Sequence, residues 1–225
     1  MSDNAQIIID ESFDLLTQNY PQQPIVIDRG EGSYAYDSEG GKYLDFSIGY
    51  AVAALGHAHP AMLKALNDQA SKIMICQASY STQSKLDCAK LLIENSCFDR
   101  VFFTNSGTES IEACIKTARK WAYDEKGEGC NEIIAFNGGF HGRSYGAASV
   151  TYKRAQQPFF GPYVEGVQFA DFNDLDSVKA LISDKTAAII LEPVQGEGGL
   201  IPAEASFLMG LRRLCDEENI ALIFD

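Results

Sequence analysis

Residues 105–110 of this 225-residue chain, Asn-Ser-Gly-Thr-Glu-Ser, combine backbone and side-chain groups suited to binding an anion. They open a predicted helix, where free N–H groups and the positive end of the helix dipole converge. Gly107 permits close backbone approach, and the hydroxyls of Ser106 and Thr108 add donors. These donors suit a phosphate group. The turn matches neither common glycine motif for nucleotides, so nucleotide binding is disfavoured. The alternative is an ordinary helix N-cap, where serine and threonine are common.

A second set of functional side chains lies in residues 137–144, Asn-Gly-Gly-Phe-His-Gly-Arg-Ser, directly after an apolar run. Phe140 is suited to stacking on a flat ring. Arg143 is suited to forming paired hydrogen bonds with a carboxylate. A glycine-rich loop with these residues is typical of a ligand site. The alternative is a surface loop that buries one phenylalanine.

A third loop, residues 192–199, reads Glu-Pro-Val-Gln-Gly-Glu-Gly-Gly and also follows an apolar run. Charged residues at the carboxyl end of a strand are often paired or functional. The alternative for Glu192 is that it caps neighbouring backbone amides. Glu197 lies further out and is suited to holding an arginine until a substrate displaces it.

Asp225 follows the apolar run of residues 220–224. Open α/β sheets place ligand-binding groups at the carboxyl ends of their strands. An ionised carboxylate there, next to a pyridine-type nitrogen, would keep that nitrogen protonated. The alternative is an aspartate that caps the next helix. We also expect the chain to be the front portion of an enzyme, interrupted inside its active site, because natural domains seldom end on such a strand.

The elements that would position these loops alternate between short apolar strands and helices from about residue 60 onward. The predicted strands are 101–104, 132–136, 187–191 and 220–224, and the predicted helices are 60–73, 81–94, 108–123 and 206–217. This alternation predicts an α/β fold with a mostly parallel sheet and helices on both faces.

The first part of the chain has a different pattern. A helix is predicted over residues 7–19, followed by short strands at 24–27, 33–36 and 42–46 that form a β-meander. We therefore predict an N-terminal helix and meander segment over residues 1–55, and a large ligand-binding domain over 56–225 that is truncated at its C-terminal end.

Composition excludes several classes of protein. The net charge of −13 argues against nucleic-acid binding, which requires a basic surface. No apolar stretch reaches membrane-spanning length, and the N-terminus does not resemble a signal peptide. The six cysteines contain no C-x-x-C pair, so buried free thiols in a reducing cytoplasm are expected. These features predict a soluble cytoplasmic enzyme.

Together, the four segments resemble the class III (fold type I) aminotransferases, which use pyridoxal 5′-phosphate. Residues 34–37, 43–46 and 55–60 extend the resemblance, so it covers essentially the whole chain. Within the class, the sequence is most similar to acetylornithine and ornithine aminotransferases. The resemblance implies transfer of the terminal amino group of N-acetylornithine or ornithine to 2-oxoglutarate, giving the semialdehyde and glutamate, in arginine biosynthesis.

The resemblance also implies roles for individual residues. For the cofactor, Ser106, Gly107 and Thr108 would bind the phosphate, Phe140 would stack on the ring, and Asp225 would pair with the ring nitrogen. For the substrate, Arg143 would bind a carboxylate, Tyr20 would line the entrance, and Glu197 would alternately pair with a later arginine. The implied assembly is a homodimer. His57 and His59 belong to a structural turn in the family, so no metal site is expected.

Departures from the family pattern leave the substrate open. Tyr50 stands where ornithine aminotransferases carry tyrosine and acetylornithine enzymes a small aliphatic residue, and Gln77-Ala78 replaces a Ser-Asn pair. Ornithine, succinylornithine and 4-aminobutyrate remain alternative substrates. The Schiff-base lysine is expected after Asp225, so the chain alone is expected to be inactive. The rival hypotheses are a non-catalytic fragment that binds phosphate ligands, and decarboxylase or racemase chemistry on the same scaffold.

Overall fold

The computed structural model of the protein describes residues 2–225. In chain order its elements are α1 (Asp3–Leu15), β1 (Ile27–Glu31), β2 (Tyr34–Asp37), β3 (Lys42–Leu44), α2 (Ile48–Ala51), α3 (Pro60–Ala70), α4 (Gln83–Glu94), α5 (Gly107–Lys126), β4 (Glu132–Phe136), α6 (Tyr145–Ser149), α7 (Tyr152–Ala155), a 3₁₀ turn (Pro158–Phe160), β5 (Val167–Ala170), α8 (Leu175–Leu181), β6 (Thr186–Leu191), β7 (Val194–Gln195), β8 (Ile201–Pro202), α9 (Ala205–Glu217) and β9 (Ala221–Phe224).

The chain divides into two compact units, Met1–Cys88 and Ala89–Asp225, with Met1 outside the described residues. The predicted division after residue 55 concerns the domains of a whole enzyme and stays a prediction. The first unit contains an antiparallel sheet, and the second contains a parallel sheet and a small antiparallel sheet of β7 and β8.

In the first unit, helix α1 begins four residues earlier than predicted and ends at Leu15 rather than near residue 19. The Ser2 Oγ accepts a hydrogen bond of 3.3 Å from the Ala5 N–H, and Asp3 lies in the first turn. An N-cap serine and an acidic residue both stabilise a helix start. This cap fixes the start, so the predicted bounds were wrong while the element itself is confirmed.

The meander of the first unit is confirmed as three antiparallel strands in the order β1-β2-β3, with β1 at residues 27–31 rather than 24–27. The Asp37 carboxylate organises the turn between β2 and β3. It accepts hydrogen bonds from the Tyr43 hydroxyl at 2.7 Å and from the N–H groups of Glu39 at 2.9 Å and Gly41 at 2.7 Å. These donors, chiefly Tyr43, lower the pKa of the Asp37 carboxyl.

The second unit contains the predicted parallel sheet, with four strands in the order β5-β4-β6-β9. All three neighbouring pairs are parallel, and Ile189 on β6 aligns with both Ile134 on β4 and Leu222 on β9. Strand β5 and helix α8 were not predicted, although Asp174 caps α8 through its side chain. The α/β fold class is therefore confirmed.

Alternating residues of the central strands pack against helices on opposite faces of the sheet. One core contains Ile134, Phe136, Ile189 and Leu191 together with side chains of α8 and α9. The other contains Ile133, Ala135, Ala188 and Ile190 together with side chains of α5 and α6. Because successive strand residues point to opposite faces, a continuous apolar run lets each strand serve both cores. This three-layer packing fixes where the strands end, and so where the loops begin.

The predicted strand over residues 101–104 is wrong. These residues carry no strand assignment, and Phe102 and Phe103 are exposed. A β-strand requires a neighbour with which to exchange backbone hydrogen bonds, and none of the described strands pairs with this segment. The segment is apolar, as a strand often is, but an apolar composition alone does not supply a pairing partner.

The cysteines are free, but the prediction that they are buried was wrong for half of them. Cys130 and Cys215 are buried and Cys114 is half-buried, whereas Cys76, Cys88 and Cys97 are exposed. Helix α4, which contains Cys88, buries none of its residues, and the other two lie in connecting segments. Burial raises the pKa of the Cys215 thiol to about 11. None of the helices formed by residues 2–225 has the length and apolar character needed to cross a bilayer.

The packing of α9 gives a stability prediction. Leu211 is completely buried between α9 and the sheet, whereas Met209 on the same helix is 58% exposed. We expect Leu211→Ala to lower the free energy of unfolding by about 2–5 kcal/mol, through lost burial and the cavity it leaves. Met209→Ala is the control and is expected to change it by less than about 0.5 kcal/mol. Urea denaturation measures both, and equal effects would contradict the packing described.

Candidate functional site

The carboxyl ends of β4, β6 and β9 lie side by side, because these strands are parallel neighbours. Residues 137–144 follow β4, residues 192–199 follow β6, and Asp225 follows β9. The Asp225 N–H donates to the Leu191 carbonyl at 3.0 Å, so pairing with β6 continues to the last residue. The loops that the sequence singled out therefore meet at one edge of the sheet.

The turn at the start of α5 is capped on both sides. The Ser106 Oγ accepts from the Glu109 N–H at 3.3 Å, and the Glu109 carboxylate accepts from the Asn105 N–H at 2.7 Å. The N-cap alternative is thus correct for Ser106, but it uses only one of the first helical N–H groups. The N–H groups of Gly107 and Thr108 have no intrahelical acceptor, and a Cβ atom on Gly107 would meet nothing within 4 Å. N–H groups without an intrahelical acceptor, next to a glycine with open space at its Cβ position, suit an anion.

The Thr108 side chain connects this turn to the loop after β4. Ser144 donates its hydroxyl proton to Glu112 Oε1, so the 2.7 Å contact between Thr108 Oγ1 and Ser144 Oγ has Thr108 as donor. A Cβ atom on Gly142, whose φ is +128°, would lie 2.4 Å from Thr108 Oγ1. Glycine at 142 is therefore required for this close approach. The Thr108 hydroxyl holds the loop, and its backbone N–H faces the open turn.

The Glu192 carboxylate connects the loops after β4 and β6. Its Oε2 accepts from the Phe140 N–H at 2.9 Å, and its Oε1 accepts from the Gly196 N–H at 3.0 Å. The alternative proposed for Glu192, capping of backbone amides, is confirmed. Gln195 adds a second connection, since its Nε2 donates to the Asn137 carbonyl at 2.9 Å. Glu197 projects from this loop and is exposed.

His141 is the residue whose contact the sequence did not reveal. Its side chain is completely buried, and its Nδ1 lies 2.7 Å from Asp225 Oδ2. An ionised carboxylate can only accept, so Nδ1 carries the proton and donates it. The other ring nitrogen, Nε2, is buried and has no hydrogen-bond partner among residues 2–225. The backbone N–H of His141 donates to Thr151 Oγ1 at 2.8 Å, which fixes the backbone at this residue.

Asp225 uses its carboxylate to accept from His141 in this structure, and its alternative role as a helix cap stays a prediction. Its side chain remains 32% exposed while one oxygen is held by His141. The negative charge also reaches Cys114 on α5, where burial first and Asp225 second raise the pKa of the thiol. A carboxylate held in a defined orientation and still accessible is suited to pairing with a cationic group of a ligand.

Phe140 and Arg143 both lie at this edge. The Phe140 side chain is half-buried rather than packed in the core, so the alternative of a loop anchored by one buried phenylalanine does not describe it. The Arg143 guanidinium carbon is 6.0 Å from the centre of the Phe140 ring, and Arg143 is exposed. An aromatic ring, a guanidinium and a carboxylate thus share one loop cluster.

The remaining predicted site residues lie in the first unit. Tyr20 is 48% exposed there, so its predicted position at a substrate entrance stays a prediction. His57 Nε2 lies 2.8 Å from Asp45 Oδ2, and His59 Nδ1 accepts from the Ala61 N–H at the start of α3. Both histidines have structural contacts, and no group of three or more metal-binding side chains occurs within residues 2–225.

The site residues fit a small flat ligand that carries a phosphate and a ring nitrogen. The open turn at Gly107 suits the phosphate, the accessible Asp225 carboxylate suits a protonated nitrogen, and Phe140 offers a ring face. Open α/β sheets bind such ligands at the carboxyl ends of their strands. The fold is therefore α/β, and the residues at this edge of its sheet have the chemistry to hold a phosphate-bearing ring.

Comparison with known proteins agrees with this class. The family model for class III aminotransferases matches residues 15–225, and the chain belongs to that family. Class III aminotransferases depend on pyridoxal 5′-phosphate, a flat ring with one phosphate and one ring nitrogen. The chain is 47% identical over 210 residues to the acetylornithine aminotransferase of Clostridium acetobutylicum, covering 93% of this chain and 54% of that protein.

Solved structures give the same result. The ornithine aminotransferase of Toxoplasma gondii superposes with a TM-score of 0.90 at 30% identity, covering 98% of this chain and 53% of that one. The N-acetylornithine aminotransferase of Stenotrophomonas maltophilia superposes with a TM-score of 0.79 at 34% identity, covering 96% and 53%. The chain spans about half the length of the relatives it matches.

The two bonds of Glu192 give a prediction about the loop cluster. We expect Glu192→Gln to lower the free energy of unfolding by about 0.5–1.5 kcal/mol, the net value of one hydrogen bond, because an amide has one acceptor oxygen for the N–H groups of Phe140 and Gly196. The matched control is Glu197→Gln in the same loop, which removes an exposed charge and is expected to have little effect. Thermal unfolding followed by circular dichroism makes the comparison. Equal stability of the two variants would show that Glu192 does not hold the loops together.

Proposed function

We propose that the whole protein is a transaminase that transfers the terminal amino group of N-acetylornithine or ornithine to 2-oxoglutarate. The products are the semialdehyde and glutamate, as in arginine biosynthesis, and the setting is the cytoplasm. The observation that carries this proposal is the 2.7 Å contact between His141 and Asp225 at the carboxyl edge of the sheet. The 47% identity to an acetylornithine aminotransferase supports the reaction class.

In this proposal the cofactor phosphate is held by the turn of Ser106, Gly107 and Thr108, chiefly through backbone N–H groups, while Phe140 packs on the ring. Pyridoxal 5′-phosphate, when bound, supplies an electron sink for the carbon that carries the amino group. Asp225 keeps the proton on the ring nitrogen, where it strengthens that sink. His141 donates to Asp225 Oδ2, so it fixes the orientation of the carboxylate.

Substrate binding is assigned to charged groups near the same edge. Arg143 binds a substrate carboxylate with paired hydrogen bonds, which an anionic substrate needs in a chain with a net charge of −13. Glu197 is exposed and placed to pair with an arginine when the second substrate is absent. Tyr20 lines the entrance, and the working assembly is a homodimer. The amino donor and 2-oxoglutarate are the partners, with no nucleic acid and no membrane.

Free ornithine is the second candidate for the amino donor, and Tyr50 is the observation that favours it. Tyrosine at this position is typical of ornithine aminotransferases, and its side chain is 84% exposed in the first unit. A tyrosine hydroxyl can bind the charged α-amino group of ornithine, a group that acetylation neutralises. Comparing the two donors in one assay decides between them.

A half-reaction tests the proposed function directly. The intact protein that carries this sequence is loaded with pyridoxal 5′-phosphate, and glutamate, N-acetylornithine, ornithine, succinylornithine or 4-aminobutyrate is added in turn. We expect glutamate and one ornithine donor to shift the visible absorption band of the cofactor within seconds, and succinylornithine and 4-aminobutyrate to act more slowly. An unchanged band with every donor would contradict the transaminase assignment.

The same assay tests the role of Asp225. Asp225→Asn removes the charge that keeps the ring nitrogen protonated, so the rate of the band shift is expected to fall by about a hundredfold or more. The control is Asp184→Asn, an exposed aspartate in the turn before β6, which is expected to react at the wild-type rate. A wild-type rate for Asp225→Asn would show that the charge of Asp225 does not contribute to the reaction.

A further inference from the structure

A small cavity in the second unit contains a second arginine beside Arg143. Its volume is about 230 Å³, below the range of about 300–1,000 Å³ that is typical for drug-sized ligands. Its lining consists of Arg143, Tyr145, Ala148, Arg154, Phe160 and Tyr163. The cavity is therefore lined by two guanidinium groups, three aromatic rings and a methyl group, with no acidic side chain.

Arg154 is held in place by a neutral partner. It lies on α7, and its Nη1 donates to Gln157 Oε1 at 3.3 Å. The Tyr163 hydroxyl donates to the Gln157 carbonyl at 3.1 Å, so the opposite aromatic wall is anchored to the same residue. No carboxylate within residues 2–225 forms an ion pair with Arg154. The charge of this arginine is not neutralised by the chain itself.

The charges that line the cavity would stabilise a bound anion. The half-buried Arg154 side chain has lost part of its hydration, and no carboxylate of residues 2–225 compensates its charge. Acidic residues outnumber basic ones 31 to 18 in this chain, yet none lines the cavity. A bound carboxylate would accept paired hydrogen bonds from Arg154 and supply that negative charge. The aromatic walls would contact the methylene chain attached to it.

We infer that Arg154 and the aromatic cavity around it bind the carboxylate of the amino-acid substrate together with Arg143. This inference rests on the proposed function for the identity of the substrate, and it extends that proposal by adding a specificity-determining residue. It assigns the substrate class as small carboxylates with a short aliphatic chain. Amines of the same length that lack the carboxylate gain nothing from the cavity.

Calorimetric titration of the intact protein with succinate tests the cavity without any turnover. Wild-type protein is expected to bind succinate, and Arg154→Gln to bind it about tenfold or more weakly, as loss of a charged hydrogen bond predicts. Lys153→Gln is the matched control, because Lys153 is the neighbouring exposed cation on α7 and does not line the cavity. Arg154→Lys keeps the charge, so its succinate affinity is expected to lie between those of the wild type and Arg154→Gln. This intermediate affinity would separate lost binding from lost folding.

Four binding results would overturn the inference. The first is unchanged succinate affinity in Arg154→Gln, and the second is an equal loss in Lys153→Gln. The third is inorganic phosphate that binds as tightly as succinate and depends equally on Arg154, since the cavity would then be a phosphate site. The neutral analogue succinamide is expected not to bind, and binding of it equal to that of succinate would likewise contradict the inference.

Kinetics separate this inference from the proposed function. With ornithine as donor, Arg154→Gln is expected to raise KM about tenfold at unchanged kcat, while the reaction of 1,4-diaminobutane stays as in the wild type. Equal loss with both donors would contradict a role in carboxylate binding. If the wild type transfers no amino group but binds succinate through Arg154, the proposed function fails and the cavity assignment stands. If transfer proceeds and Arg154→Gln behaves as the wild type, only the cavity assignment fails.

Discussion

The hydrogen bond between His141 Nδ1 and Asp225 Oδ2 is the interaction on which the geometry of the site depends. It joins residues 84 positions apart, one in the loop after β4 and the other at the end of β9, with β6 lying between these two strands. The contact is possible only because all three strands run parallel and end at the same edge. Since the His141 side chain is completely buried, the bond is shielded from water and holds the carboxylate in one orientation. The chemistry proposed for Asp225 needs that fixed orientation.

The acidic residues of the site are used in two different ways. Glu112 and Glu192 accept backbone N–H groups and bind one loop to another, so their charges are satisfied within the chain. Asp225 and Glu197 remain accessible and keep their charges available to ligands. In this strongly acidic chain, the two carboxylates that join loops are thus distinct from the two that stay accessible.

The sequence predicted the parts of the fold that depend on local pattern. The apolar runs at β4, β6 and β9 gave the parallel sheet, and the Ser-Gly-Thr turn gave the start of α5. The strand at residues 101–104 was predicted wrongly, because strand formation depends on a partner that local composition does not contain.

The site was predicted as separate loops, since each motif is contiguous. The contacts of His141 and Glu192 cannot be predicted from neighbouring residues, because their partners lie 84 and 52 positions away in the sequence. Arg154 was missed for a related reason: nothing in its neighbourhood, Tyr-Lys-Arg-Ala, indicates a cavity.

A crystal structure of the intact protein with pyridoxal 5′-phosphate bound would show whether the loops at the ends of β4, β6 and β9 form the site of the cofactor ring. We expect the ring nitrogen within about 3 Å of the Asp225 carboxylate, with His141 still bonded to its Oδ2. We also expect the phosphate at the N–H groups of Gly107 and Thr108. A ring nitrogen that faces another residue, or a phosphate bound away from the start of α5, would show that these loops do not form the cofactor site.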